Sequence, residues 1–130
     1  MVPRSQSYTI PGNPIPLARP RFGQARVWDS QKGLKFTAGL FIRNQHGDQP
    51  LFTGPLTLNV TFFLPRPKTQ SKDKIGKPST SKPDLDNLIK FTGDIANGVL
   101  FADDCIISCI IAQKVYDLDP RTEFTITEIR

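Results

Sequence analysis

A chain of 130 residues fits one domain with a real core, while 38% apolar content and 12 prolines favour a small fold rich in turns. The formal net charge of +5 and an isoelectric point near 9.5 suit a polyanionic partner. No apolar run approaches the roughly 18 residues of a membrane span, and residues 1–8 lack the apolar core of a secretion signal, so a cytoplasmic protein is expected.

In chain order, Tyr8-Thr9-Ile10 reads as a short strand stopped by Pro11-Gly12-Asn13-Pro14. A basic, proline-punctuated loop follows from Arg19-Pro20-Arg21 to Arg26, with Arg26-Val27-Trp28 extended. Ser30 is expected to cap a helix running to about Gln45, with Leu34, Ala38, Phe41 and Ile42 inward and His46 on the surface at its end. Leu56 to Leu64 alternates strictly: Leu56, Leu58, Val60, Phe62 and Leu64 share one face, and Thr57, Asn59 and Thr61 the other. That is a half-buried strand.

Residues 65–82 are rich in Lys, Ser, Thr and Pro and read as a flexible loop extending to about 83. They hold Arg66, Lys68, Lys72, Lys74, Lys77 and Lys82 against one acid, Asp73, and so equal the net charge of the whole chain. A second helix should begin at Asp84, with Leu85, Leu88, Ile89, Thr92, Ile95, Ala96 and Val99 in a helical stripe and a stop at Asn97-Gly98. Ile106 to Tyr116 is apolar enough for a central strand, which Thr122 to Ile129 should join across the turn at Asp117–Pro120. Cys105 and Cys109 read as buried thiols, since neighbours on one strand bridge only with distortion. With one distant histidine, a zinc site has little support. The expected fold is a single α+β domain over 1–130, with a small mixed sheet of about four strands and two helices in the order β-α-β-α-β-β.

The run Lys82-Pro83-Asp84-Leu85-Asp86-Asn87-Leu88-Ile89-Lys90 crowds carboxylates at a helix start, and Asp103-Asp104 follow shortly. Two carboxylates roughly 4 Å apart repel by about 4 kcal/mol at an effective dielectric near 20. Such a cluster shares a proton, spreads into water or holds a divalent cation. A plainer reading stays open: Asp84 as an N-cap, Asp86 favoured by the helix dipole, and Lys90 its surface partner four residues on. On an extended backbone Asp103 and Asp104 face opposite ways, so one can join a cluster while the other points out.

These residues, with Asp94, Asn97-Gly98, the early Pro14-Ile15-Pro16 and Arg19-Pro20-Arg21, and the strand ending Lys114-Val115-Tyr116, resemble the RusA family of Holliday-junction resolvases. The resemblance implies a homodimeric endonuclease that nicks a four-way DNA junction symmetrically in recombination and repair, bacterial or phage-borne and nucleoid-associated. It makes Asp84, Asp86 and Asp104 ligands of Mg²⁺, with Mn²⁺ as a substitute, and Lys90 the functional lysine. It implies neither a small-molecule cofactor nor a membrane partner. Arg19, Arg21 and Arg26 are expected to contact DNA, with Lys68, Lys72, Lys74, Lys77 and Lys82 as a sequence-blind phosphate clamp. Trp28 and Phe22 are read as core or interface anchors rather than base-stacking groups. Two other readings remain: a non-catalytic DNA-binding module whose acids only cap a helix, and a metal-dependent nuclease for other branched DNA.

Overall fold

Alternation along β4 (Leu56–Leu64) organises the molecule, because five of its side chains present one apolar face. Leu56, Leu58, Val60, Phe62 and Leu64 are all buried. A computed structural model describes residues 2–18, 21–23, 26–28 and 30–129, with the backbone alone at 21–23 and 26–28. In it β4 pairs with β5 (Ile107–Tyr116) in parallel and with β6 (Arg121–Glu128) antiparallel. β1 (Ser5–Pro11) lies outside β6, giving the order β1-β6-β4-β5. Helices α1 (Lys32–His46) and α2 (Leu85–Ala96) bury Ala38, Ile42, Leu88, Phe91 and Ile95 in the core that the inward face of the sheet completes. The outer face is polar, with Ser5 bonded to Thr127 at 2.9 Å and Ser7 to Thr125 at 2.6 Å. This is the expected α+β fold, enlarged by a two-stranded ribbon of β2 (Arg21–Gly23) and β3 (Arg26–Trp28).

Several local expectations are corrected. β5 and β6 do not form a hairpin, because β4 lies between them. A parallel β4–β5 pair needs a crossover, which α2 supplies, and β6 then takes the other side of β4. β5 is therefore an edge strand. Ile110 and Ile111 are substantially exposed, and Cys105 and Cys109 are exposed rather than buried.

Helix α1 begins one turn position later than expected, with Gln31 and not Ser30 at its cap. The Gln31 side chain makes no capping bond. It spans instead to the Ala18 amide (2.8 Å) and the Pro16 carbonyl (2.9 Å), fixing the proline-rich segment against the helix start. Leu34 and Phe41 are substantially exposed, while Ala38 and Ile42 face the core. His46 is buried rather than on the surface: the last turn of α1 lands on β1, where the Tyr8 hydroxyl lies 2.7 Å from His46 Nδ1.

The second half of the 65–82 segment is tied to the edge of β5. The Gly76 amide donates to the Tyr116 carbonyl (2.8 Å), the Tyr116 amide to Lys77 (3.1 Å) and the Ser79 amide to Lys114 (2.9 Å). Lys68, Lys72, Lys74 and Lys77 remain exposed.

Candidate active site

Asp84 occupies the N-cap of α2 with an extended backbone, but its carboxylate makes no capping bond. It accepts from Lys82 Nζ at 2.9 Å. That hydrogen bond and charge, joined by the more distant Lys114, hold the Asp84 carboxyl below its ordinary pKa and raise that of Lys82. The expected cap is therefore exchanged for an ion pair. Asp86 stands exposed in the first turn, where the helix dipole favours an anion. Lys90 and Asp94 follow at four-residue intervals, so the three form a polar line along one side of α2. Asp94 is engaged from α1 by Lys35 Nζ at 2.8 Å.

Asp104 meets this line at Gly93. Its Oδ2 lies 2.9 Å from where a Cβ on Gly93 would stand, so any larger residue there would make the carboxylate shift. Burial there, then the neighbouring Asp103 and Asp94 carboxylates, push the Asp104 carboxyl above its usual range. Asp103 does not face away as expected. The tight turn at Asp104–Ile106 brings its carboxylate into hydrogen-bond contact with Asp104 and Cys105, which lowers its pKa. The same contact with Asp103 raises that of the Cys105 thiol.

The acids thus form two groups on one side of α2. Asp84 and Asp86 lie at its start, and Asp104 lies over Gly93 with Asp103 beside it. Seven residues separate Asp86 from Gly93, an axial rise of about 10.5 Å. Among the described residues no three His, Cys, Asp or Glu lie together closely enough to hold a cation. The donor chemistry nonetheless fits Mg²⁺, because every acid offered is a hard oxygen ligand. Moreover, Mg²⁺ is commonly held by one or two carboxylates plus substrate phosphate and water, not by a closed protein cage.

Lys114 and Tyr116, at the end of β5, face the segment that leads into Asp84. Lys114 Nζ donates to the Ser81 carbonyl (2.7 Å) and the Pro83 carbonyl (3.0 Å). The Tyr116 oxygen lies 2.7 Å from Ser81 Oγ and receives the Thr80 amide at 3.3 Å. This oxygen is crowded with donors, Ser81 foremost, and its pKa falls to about 7. Of the expected DNA-contacting cations, Lys68, Lys72, Lys74, Lys77 and Lys82 are exposed on the basic segment. Arg19 lies outside the described residues, as do the side chains of Arg21, Arg26, Phe22 and Trp28; the backbone of the last four belongs to the β2–β3 ribbon.

A family model described as Endodeoxyribonuclease RusA matches residues 11–127. This chain belongs to the RusA endodeoxyribonuclease family. It is similar to the Bacillus subtilis (strain 168) protein YqaN, itself described as uncharacterized, at 30% identity over 94% of this chain and 95% of that protein. It is also similar to the crossover junction endodeoxyribonuclease rusA of Lactococcus phage r1t, at 40% identity over 58% of this chain and 56% of the relative.

For a RusA-family nuclease, three features of this site escaped sequence reasoning. Gly93 left a trace as an isolated glycine within a helical stripe, a sign of close approach by another group. Lys114 and Tyr116 stood out only through the family resemblance, and their contacts left no trace, because their partners lie more than thirty positions away. The contact between Asp103 and Asp104 depends on a three-residue turn that the apolar run after it concealed.

Proposed function

We propose that the chain is a Mg²⁺-dependent, structure-selective endodeoxyribonuclease that resolves four-way DNA junctions by paired nicks, working as a homodimer. The observation that carries this reading is the seating of Asp104 on Gly93 beside the Asp86–Lys90 line, which sets acids and a lysine along one face. Family membership and the name of the phage relative support the reaction and the junction substrate.

Asp84 and Asp86 would hold the ion at the start of α2, with substrate phosphate and water completing its ligands, and Asp104, about two turns along, would act on it through that phosphate and water. Bound there, Mg²⁺ supplies charge neutralisation at the scissile phosphate and acidity for the attacking water. Lys90, between the two acidic groups, offsets negative charge that builds on the phosphate oxygens. Lys82 is placed to share its ammonium between Asp84 and an incoming phosphate. Arg19, Arg21 and Arg26 would steer the strands, and Lys68, Lys72, Lys74 and Lys77 would hold phosphates without regard to sequence. A C2 dimer presents two equal sites to the nearly two-fold symmetric junction, which accounts for paired cuts.

A labelled four-way junction and a linear duplex of equal sequence, each with and without Mg²⁺, test the proposal. Cutting confined to the junction and to the metal-containing samples is the expected result. Equal cutting of both substrates refutes junction selectivity, and cutting in a chelator refutes the metal role.

A further inference from the structure

A cleft of about 620 Å³ opens beside Asp84, between the proline-rich segment at 13–16, the start of the basic segment at 64–68, and residues 81–83. Its volume falls within the roughly 300–1,000 Å³ typical of small-molecule sites. The walls are apolar and firm: Pro14, Pro16, Leu64, Pro65, Pro67 and Pro83 line it. The rim is cationic, with Arg66, Lys68 and Lys82, and among the described residues no acid lines the cleft.

Each wall is fixed by a different part of the fold. The Leu17 amide donates to the Asn87 carbonyl of α2 (2.9 Å), and Gln31 grips Pro16 and Ala18. Lys114 and Tyr116 hold residues 80–83 from β5. Asn13 reaches the cleft from a turn that Gly12 makes possible at φ +94°, a conformation open chiefly to glycine. Its exposed amide offers both a donor and an acceptor to a planar polar edge.

We propose that this cleft receives one unstacked nucleobase of the strand whose phosphate lies at Asp84. The inference rests on the nuclease reading and deepens it by assigning a binding site for the base. A double helix is too broad to enter, whereas a single base can lie against the proline rings while its phosphates meet Lys68 and Lys82 on the rim. A base drawn from the stack at the point of strand exchange costs least there, because pairing is already interrupted. Occupancy beside Lys82 and Asp84 places the adjoining phosphodiester at the acidic line of α2.

Four-way junctions carrying 2-aminopurine beside the point of strand exchange, or in mid-arm as a control, read unstacking as a fluorescence rise. The complex is formed without divalent metal, so no strand is cut. Wild type should raise emission several-fold at the exchange point and leave the mid-arm probe unchanged. Asn13→Trp, whose indole fills the cleft, should still bind the junction but lose that rise, and cut it at least about tenfold more slowly once Mg²⁺ is added. Asn13→Ala leaves the cleft open and should keep the rise, which separates steric blockage from damage to the turn. A rise in Asn13→Trp equal to wild type, or none in wild type bound to the junction, overturns the proposal. Failure of the nuclease reading would show differently, as intact junctions after Mg²⁺ addition whatever the fluorescence reports.

Discussion

Glycine inside a helix costs about 1 kcal/mol relative to alanine, so its place in α2 at position 93 needs a compensating role. Asp104 supplies that role, since a methyl group at Gly93 would stand 2.9 Å from its Oδ2. The atom in conflict is the far end of a side chain, which can rotate away without disturbing the core. Gly93→Ala should therefore unfold within about 1 kcal/mol of the parent, with helix propensity offsetting the displaced carboxylate. Junction cutting should fall by about tenfold or more, because small misplacements of a reacting group weigh heavily. Melting curves and cleavage rates measured side by side check both parts, and a fully active Gly93→Ala would separate Asp104 from the chemistry. Elsewhere at this scale, residue type alone misled. His46 and the two cysteines exchange their expected places, the histidine buried against Tyr8 and the thiols exposed on an edge strand.

Between elements, the two tyrosines close the main junctions, and their surroundings move them in opposite directions. Burial between α1 and β1 pushes Tyr8 up to about 12, while hydroxyl and amide donors around Tyr116, Ser81 first, bring it down to about 7, both from 10.0. An ultraviolet titration of the folded protein should thus show one phenolate step near pH 7, missing in Tyr116→Phe, and a second only near 12. A single step near 10 would deny both environments. The signs for stability are opposite. Tyr116, depressed on folding, contributes fully above pH 10, and its contribution is lost as pH falls through about 7; Tyr8, raised, contributes below 10 and is lost as pH rises through about 12. Helices α1 and α2 and strand β4 were legible because periodicity is written locally. The partners of β5 and β6 were not, since their pairing is decided by the α2 crossover. The β2–β3 ribbon, with three residues a side, is too short to carry a period.

Across the whole molecule, negative charge gathers along one side of α2 while positive charge is spread over the segment that leads into it. The +5 of the chain resides there in effect, and β5 ties that segment down through Lys114 and Tyr116 just before Asp84. The cations proposed to hold phosphate and the acids proposed to hold metal are therefore joined covalently and through the sheet. Binding and cutting should separate when only the acids change. The acidic residues were legible from their crowding at a helix start, whereas the division into two groups about two turns apart was not, because it depends on how the connection between α2 and β5 folds back onto Gly93. Asp86 is exposed and its one described interaction is a minor charge effect on exposed Lys82, so Asp86→Asn should leave the fold intact. The decisive measurement compares this variant with the parent on one labelled four-way junction, following binding by mobility shift and cutting in Mg²⁺. Binding that persists while cutting disappears is the predicted result; Mg²⁺-dependent cutting at the parental rate would contradict the site.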